Sequence, residues 1–434
     1  MPMPTAGDIP SNHAYRLTNA RIPRVLLEGD AGEGALATVD IGVRDGMIDA
    51  VLAPGQIPDE LSVLDLAGRL VWPGLVDMHT HLDKGHIWPR AENPDGTFMG
   101  AVEAVESDRR ARWTAADVAA RMDFGLRCAY AHGTVAIRTH LDSQAPQDGI
   151  SWPVFTEMRE RWRGRITLQA VSLFLLDDEL SRGIMESLAD RVADCEGVFG
   201  AVTFPGQRLE RQLEVLFRLA MERNLDLDFH VDETLDPEVH TLRAVADTAI
   251  RLDFPGKVTV GHACSLSTQP DHVVRDTLAR VQTAGIHVVS LPMCNLYLQD
   301  RLPGRTPRRR GVTLLQEMQA QGIPVAVASD NTRDPFYGYG DLDLLEVFAQ
   351  AVRIAQLDRP VDPWPAAIAR TPARAMGLDI GVIAPGRPAD LIICEGRSFD
   401  ELLSRPQSRR IVLRAGKPID TTPPDYQELD HLYV

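Results

Sequence analysis

The stretch that decides the fold runs from Pro73 to Lys84 and reads PGLVDMHTHLDK. A proline–glycine pair is a strong turn signal, and the short apolar run after it is typical of a buried strand. This run ends in His79 and His81, which are two residues apart. Because side chains at i and i+2 of an extended segment point to the same side, both imidazoles can bind one metal ion. The H-x-H pattern alone is weak evidence and needs support from the rest of the chain.

Seven further apolar runs follow, separated by stretches with a helical period, such as the stripe formed by Leu213, Leu216, Phe217 and Ala220. The eight predicted strands are Leu75–His79, Thr134–His140, Ile166–Ser172, Val198–Val202, Leu227–Val231, Val258–His262, Ile286–Ser290 and Val325–Asp330. Eight strands that alternate with helices over about 300 residues favour an α/β fold of the (β/α)8 TIM-barrel type. A doubly wound sheet usually carries a glycine-rich phosphate-binding motif, and none follows a strand in this sequence.

Both ends of the chain are rich in short strand signals, including one at Val25–Leu27. We therefore expect residues 1–73 to form the N-terminal part of a small β-sandwich domain, 74–375 the barrel, and 376–434 the C-terminal part of the β-sandwich domain. The polar tail after Thr421 is expected to be extended or mobile.

The composition narrows the classes of partner. The chain has 434 residues with 45 Lys and Arg against 61 Asp and Glu, a net charge of −16. This charge disfavours binding to nucleic acid and to anionic membrane surfaces. No apolar run reaches the roughly 20 residues of a membrane helix, and the first residues lack a signal peptide, so a cytoplasmic location is expected. The five cysteines are scattered and indicate neither a disulfide framework nor a cysteine zinc site.

Four predicted strands end in residues that can bind a metal. The first supplies the two histidines of the H-x-H pattern, and the others supply His230, His262 and Asp330. In a (β/α)8 barrel the carboxyl ends of the strands meet at the face that carries the active site. Each residue alone could be an ordinary rim or core residue, and Asp330 could cap a helix. Together they predict a metal site.

The chain resembles the amidohydrolase superfamily, and within it bacterial cytosine deaminase and its relative N-isopropylammelide hydrolase, over nearly its whole length. The strings that carry the resemblance are residues 73–84, Arg138–Asp142, His230–Glu233, Asn295–Gln299, Arg309–Thr313, Asp330–Phe336 and Ile383–Ile392. The resemblance implies that one divalent metal ion, zinc or iron, is bound by four residues, which are His79, His81, His230 and Asp330.

The resemblance also implies the catalytic residues. Glu233 corresponds to the acid that protonates the ring nitrogen, His262 to the histidine that orients and deprotonates the attacking water, and Asp330 serves in catalysis as well as in metal binding. Hydrolytic deamination needs a nucleophile at neutral pH, and a metal ion lowers the pKa of bound water to about 7. It also needs a group that delivers a proton before the amine leaves.

Lys84 invites comparison with the carbamylated lysine that bridges two metals in other amidohydrolases. The resemblance places that lysine on the fourth strand, and residues 198–205 contain none. One metal ion is therefore expected. Lys84 either contributes charge at the mouth of the substrate pocket or covers the barrel rim.

The substrate contacts depart from those of cytosine deaminases. Leu175 stands where they have a glutamine that holds the pyrimidine edge, and Phe336 stands where they have a tryptophan. A leucine cannot pair with two polar atoms, so a related heterocycle is a better candidate than cytosine.

The resulting prediction is a deaminase of a small amino-substituted heterocycle, such as a pyrimidine or triazine, with this small molecule as its partner. The alternatives are hydrolysis of a cyclic amide or imide and an inactive scaffold. All six implied ligands and catalytic groups are present, which disfavours the scaffold. The sequence is compatible with a homo-oligomer.

Overall fold

The structure, a computed structural model, describes residues 3–29, 32–57, 61–176, 181–406 and 409–434. Its strands are β1 (Ala14–Pro23), β2 (Leu36–Arg44), β3 (Met47–Leu52), β4 (Ser62–Asp65), β5 (Val71–Pro73), β6 (Leu75–Thr80), β7 (Thr134–Asp142), β8 (Thr167–Leu173), β9 (Leu175–Leu176), β10 (Phe199–Thr203), β11 (Leu227–Val231), β12 (Val258–His262), β13 (His287–Ser290), β14 (Val325–Val327), β15 (Leu391–Cys394), β16 (Arg410–Arg414) and β17 (Lys417–Pro418). Its α-helices are α1 (Phe98–Arg112), α2 (Ala115–Ala131), α3 (Asp148–Arg161), α4 (Arg182–Asp194), α5 (Leu209–Arg223), α6 (Thr241–Arg251), α7 (Asp271–Thr283), α8 (Pro292–Leu298), α9 (Leu315–Ala320), α10 (Leu344–Ala355), α11 (Arg370–Ala375) and α12 (Phe399–Ser404).

The chain divides into two compact units, and the larger contains Met78–Leu126, Ile137–Leu342 and Asp425–Val434. Strands β6, β7 and β8 form one sheet, and β9 to β14 form a second sheet in chain order. A parallel bridge between Val171 and Val198 joins β8 to the second sheet, and another between Thr80 and Asp330 joins its far end to β6. Because the two-residue strand β9 directly follows β8 and pairs with the same neighbour, β10, the two count as one position, and eight strand positions form a closed ring, as the predicted (β/α)8 barrel requires.

Helices cover the outside of this ring, as the helical period predicted. The stripe on α5 is buried, and Phe217 stacks on Phe229 of β11 with ring centroids 5.9 Å apart. Each of the eight predicted runs overlaps a barrel strand. The last strand, β14, ends at Val327, so Asp330 lies three residues beyond it.

The smaller unit contains Met1–Asp77, Arg127–Ala136 and Asp343–Pro424. It has two four-stranded sheets, in the orders β3-β2-β1-β4 and β17-β16-β15-β5. Antiparallel pairing of β5 with β15 brings strands from both parts of the sequence into one sheet. The expected domain boundaries at residues 73 and 375 stay predictions.

Two local expectations were wrong. Val25–Leu27 is not a strand, because a 3-10 turn at Arg24–Leu26 follows Pro23, and Leu27 donates from its backbone nitrogen to the Arg24 carbonyl at 3.0 Å. The tail is not extended throughout, because Tyr426–Leu432 forms a 3-10 helix. Aromatic packing accounts for the second difference, since Tyr426 stacks on Phe124 at 5.6 Å.

The five cysteines are free thiols. Within the described ranges, none of the helices combines the length and the apolar character that a membrane crossing needs.

Candidate metal centre and active site

The carboxyl ends of three barrel strands, β6, β11 and β14, bring the four predicted metal ligands together. His79 lies in β6 and His81 directly follows it, so the alternation of the strand points both rings inward. His230 lies at the end of β11, and Asp330 bridges to Thr80 after β14. His79 and Asp330 are at most 1% exposed, and His81 and His230 are 5% exposed. The cluster is therefore held inside the barrel rim.

The Nε2 atoms of three histidines converge on one point. His230 Nε2 lies 3.2 Å from His79 Nε2 and 3.4 Å from His81 Nε2. Asp330 Oδ1 lies 3.2 Å from His81 Nε2 and 3.6 Å from His79 Nε2. Ligands of one tetrahedral zinc ion, each about 2.1 Å from the metal, lie about 3.4 Å apart. These separations are those expected between ligands of a single ion.

The protonation states also fit a cation. Burial lowers the pKa of His79, His81 and His230 well below the usual value, and neighbouring positive groups lower it further. When neutral imidazoles face one another through their Nε2 atoms, at least one of these nitrogens has a lone pair with no hydrogen to accept. A divalent ion at the point of convergence would accept these lone pairs and the carboxylate together. The residues present therefore fit a metal ion.

Glu233 and His262 lie beside this cluster. The oxygen Oε1 of Glu233 is 3.4 Å from Nδ1 of His262. Burial, followed by the charge of Asp330, raises the pKa of Glu233 well above its usual value, which favours the protonated form. A carboxyl group whose pKa is raised in this way is suited to act as a general acid.

His262 is held by a residue to which the sequence analysis gave no role. Asn295, in α8, donates from its side-chain nitrogen to Nδ1 of His262 at 3.0 Å. Burial lowers the pKa of His262 to about 3, so the ring is neutral. With Nδ1 accepting, the ring carries its proton on Nε2, and His262 forms a buried group with His79 and His230. The sequence drew attention to Asn295 only through its position in Asn295–Gln299, one of the segments that carry the family resemblance.

Lys84 lies in the pocket with its charge partners. It is 5% exposed, and its Nζ contacts Asp142 Oδ1 at 2.9 Å and faces the Phe336 ring at 5.4 Å. Asp142 also binds Arg109 of α1 at 3.1 Å. Burial alone would lower the pKa of Lys84, but the charges of Asp142 and Asp83 raise it above its usual value. Lys84 is thus a charged group inside the site, and the sequence did not indicate its ion pair with Asp142.

A cavity of about 400 Å³ opens over the cluster. Its lining includes His81, His230, Glu233, His262 and Asp330 together with Lys84, Leu175 and Phe336. The opposite wall comes from α1, through Phe98, Met99, Val102 and Val105, and Phe98 meets Phe336 edge to face at 5.6 Å. The structure therefore brings nearly all predicted site residues to one cavity, and His79 lies beneath it.

The helix that forms this wall was not anticipated. Thr97 caps α1 by accepting a hydrogen bond from the Gly100 backbone nitrogen at 3.0 Å. The sequence indicates such a helix start only weakly, and nothing in it shows that the apolar face of α1 turns towards the site.

Known proteins share this architecture. The sequence profile described as Amidohydrolase family matches residues 62–194 and 177–420. A pterin deaminase from Rhizobium rhizogenes is 54% identical over 97% of both chains. An N-isopropylammelide isopropyl amidohydrolase from Pseudomonas is 25% identical over 88% of this chain and 93% of its own. The crystal structure of 5-methylcytosine deaminase from Klebsiella pneumoniae with 5-fluorocytosine superimposes with a TM-score of 0.81 at 25% identity, covering 93% of this chain and 97% of that one. The chain therefore belongs to the amidohydrolase family.

Proposed function

We propose that this protein is a hydrolytic deaminase of a bicyclic amino-heterocycle of the pterin type, with one divalent ion, zinc or iron, bound by His79, His81, His230 and Asp330. The observation that carries the proposal is the position of Glu233, whose side chain is only 10% exposed and lies beside three converging imidazoles in the wall of a cavity of about 400 Å³. The pterin deaminase at 54% identity supports the choice of ring system.

The chemistry divides among the side chains of the site. A bound divalent ion would supply a water of lowered pKa and a positive charge near the developing oxyanion. His262 donates from Nε2 and orients the attacking oxygen, while Asp330 is the carboxylate in position to take up a proton. Glu233 delivers its proton to the ring nitrogen next to the amidine carbon. A carbon–oxygen bond forms at that carbon, and the proton taken up by Asp330 passes to the exocyclic amino group. The bond to this nitrogen then breaks, ammonia leaves, and the remaining hydroxyl proton returns to Glu233 as the carbonyl forms.

The cavity supports a bicyclic substrate better than cytosine. Its volume of about 400 Å³ is in the range of small-molecule sites. Leu175 offers no hydrogen bond to a pyrimidine edge, whereas Phe98 and Phe336 offer aromatic surface to a flat ring system. Lys84 supplies a buried donor that can bind a carbonyl oxygen of the heterocycle.

One metal ion per chain is proposed because no lysine lies on the fourth barrel strand. β10 spans Phe199–Thr203 and contains only Phe, Gly, Ala, Val and Thr. We also propose a cytoplasmic location, supported by the five free thiols, which are typical of reducing compartments. Metal analysis of purified protein and fractionation of cells test these two points.

Ammonia release from a substrate panel tests the activity. Metal-reconstituted protein is incubated with pterin, cytosine, an amino-triazine, an aminopurine and a cyclic urea, and each product is identified by its mass. We expect pterin to be converted fastest, with replacement of the amino group by oxygen. Opening of the cyclic urea without ammonia release from the amino compounds would refute deamination. Preference for cytosine would refute the bicyclic substrate.

A further inference from the structure

A second group of polar side chains lies inside the barrel, against the proposed metal ligands. His140 lies on β7 and Asp228 on β11, and both are completely buried. Among the described residues, neither ring nitrogen of His140 has a hydrogen-bond partner, and the same is true of Nδ1 of His79 and Oδ1 of Asp228. Buried polar atoms without partners are costly and rare, so these four atoms require an explanation.

Their spacing suggests one. A ring nitrogen of His79, a ring nitrogen of His140 and a carboxylate oxygen of Asp228 lie within 4.8 Å of one another. None of the four unpartnered atoms hydrogen-bonds to another directly, and two groups that bind the same water molecule lie about 4.6 Å apart when each bond is about 2.8 Å. Three polar partners are the usual number for a buried water.

A second metal ion fits this position poorly. The other oxygen of Asp228, Oδ2, binds Arg138 Nη1 at 2.9 Å. Arg138 also donates to Gln169 Oε1 at 3.1 Å and 3.2 Å, and to Thr259 Oγ1 at 3.3 Å, so its guanidinium is fixed beside the carboxylate. A divalent cation there would face this positive charge at short range in a buried environment. A neutral molecule avoids that repulsion.

We propose that a buried water molecule, bound by His140 and Asp228, orients His79 as a metal ligand. The water accepts a hydrogen bond from Nδ1–H of His79 and donates its own two hydrogens to His140 and to Asp228 Oδ1. Three of the four atoms are then satisfied, all except the second ring nitrogen of His140, and the tautomer of His79 is fixed with its Nε2 lone pair towards the other ligands. Ring contact supports the arrangement, since the His79 and His140 rings lie 4.0 Å apart at 36°.

His140 and Asp228 are thus positioning residues. They act on metal binding through His79, and neither lines the cavity over the cluster. The inference rests on the proposed metal site but not on the identity of the substrate.

The substitution His140→Phe tests the proposal, because it keeps an aromatic ring against His79 and removes both nitrogens. His140→Asn, which keeps polar atoms but loses the ring, is made alongside in case the first variant does not fold. His287→Asn is the matched control, since His287 is also a barrel-strand histidine but lies at the start of β13. Metal affinity is measured by competition with a chelator, and the melting temperature is measured without metal.

We expect His140→Phe to bind zinc 10- to 100-fold more weakly than the parent, the usual effect of losing a group that orients a ligand. The control variant should bind zinc like the parent, and the metal-free melting temperatures of both variants should be similar. KM for a confirmed substrate should be unchanged once the metal is saturating. A high-resolution crystal structure of the parent should show one water within hydrogen-bond distance of His140 and Asp228.

Three outcomes would overturn the proposal. In the first, both His140 variants bind zinc as tightly as the parent. In the second, the melting temperature without metal falls in proportion to the loss of metal affinity. In the third, the crystal structure shows a metal ion, and no water, between His140 and Asp228. A failed substrate panel with weakened zinc binding in His140→Phe would refute the proposed substrate while leaving this inference in place.

Discussion

The rim of the barrel and the wall of its cavity contribute to the same site by different routes. The rim places His79, His81 and His230 on strand ends, where the barrel itself determines which way they point. The wall is built by α1, which lies between the first and second barrel strands, and by the short strand β9, which carries Leu175. Strand ends are fixed by hydrogen bonding around the whole ring, whereas a helix between strands can change without opening it.

This difference separates the reaction from the choice of substrate. The proposed metal-binding and proton-donating groups lie at or just beyond the barrel strands, and the surfaces that would touch the ring of a heterocycle lie largely on α1 and β9. The following substitutions test whether the two regions are separable, beginning with the one that should have the largest effect.

His230→Ala should abolish metal binding and activity. It removes one of three neutral ligands and leaves a cluster with too few donors to hold the ion. Metal content after dialysis should fall to background, and ammonia release should be undetectable. His272→Ala is a suitable control, because His272 lies in the first turn of α7 and does not line the cavity. Retention of a full equivalent of metal by the His230 variant would contradict the ligand set.

Glu233→Gln should keep the metal and lose roughly 10²- to 10⁴-fold in turnover, the usual contribution of a positioned acid. The amide can donate a hydrogen bond but cannot transfer a proton to the ring nitrogen. Metal content and turnover are measured on the same sample. Loss of metal would make Glu233 a ligand, and unchanged turnover would leave it without a catalytic role.

The barrel could be predicted because its signal is local and repeated. Each run of apolar residues such as Leu227–Val231 indicates a buried strand by itself, and eight of them in alternation with helices leave few other folds. The placement of His230 and His262 followed from the same pattern, since both lie at strand ends. Their roles in binding and catalysis stay predictions.

The supporting contacts could not be predicted, because they join residues that are distant in sequence. Asp142 lies between Lys84 and Arg109, and Asn295 reaches His262 from another element. No periodicity links such pairs. The turn after Pro23 was missed because an apolar run as short as Val25–Leu27 is compatible with a strand and with a 3-10 turn alike.

Gly261→Ala should disturb the rim through packing alone. A Cβ at this position would lie 2.7 Å from Cε1 and 3.0 Å from Nδ1 of His79, so the imidazole would have to move. We expect a 10- to 100-fold loss of metal affinity, similar to other changes that misorient a ligand. Gly149→Ala is the control, because nothing lies within 4 Å of its added Cβ. Equal metal affinity in both variants would mean that His79 tolerates the displacement.

Phe98→Leu should have the smallest effect and should act on the wall alone. Phe98 meets Phe336 edge to face, and an aromatic contact of this kind is worth about 0.5–1.5 kcal/mol. If Phe98 makes a contact of the same strength with the flat ring of a bound substrate, its loss corresponds to a rise in KM of roughly 2- to 13-fold. Metal content and kcat should stay close to those of the parent, because α1 supplies none of the proposed ligands. Phe254→Leu is the matched control: Phe254 is also half-buried and packs edge to face on Phe217, but it does not line the cavity. If Phe98→Leu instead released the metal or lowered kcat as much as KM rose, the wall and the rim would be one coupled unit, and the separation of substrate choice from chemistry would be wrong.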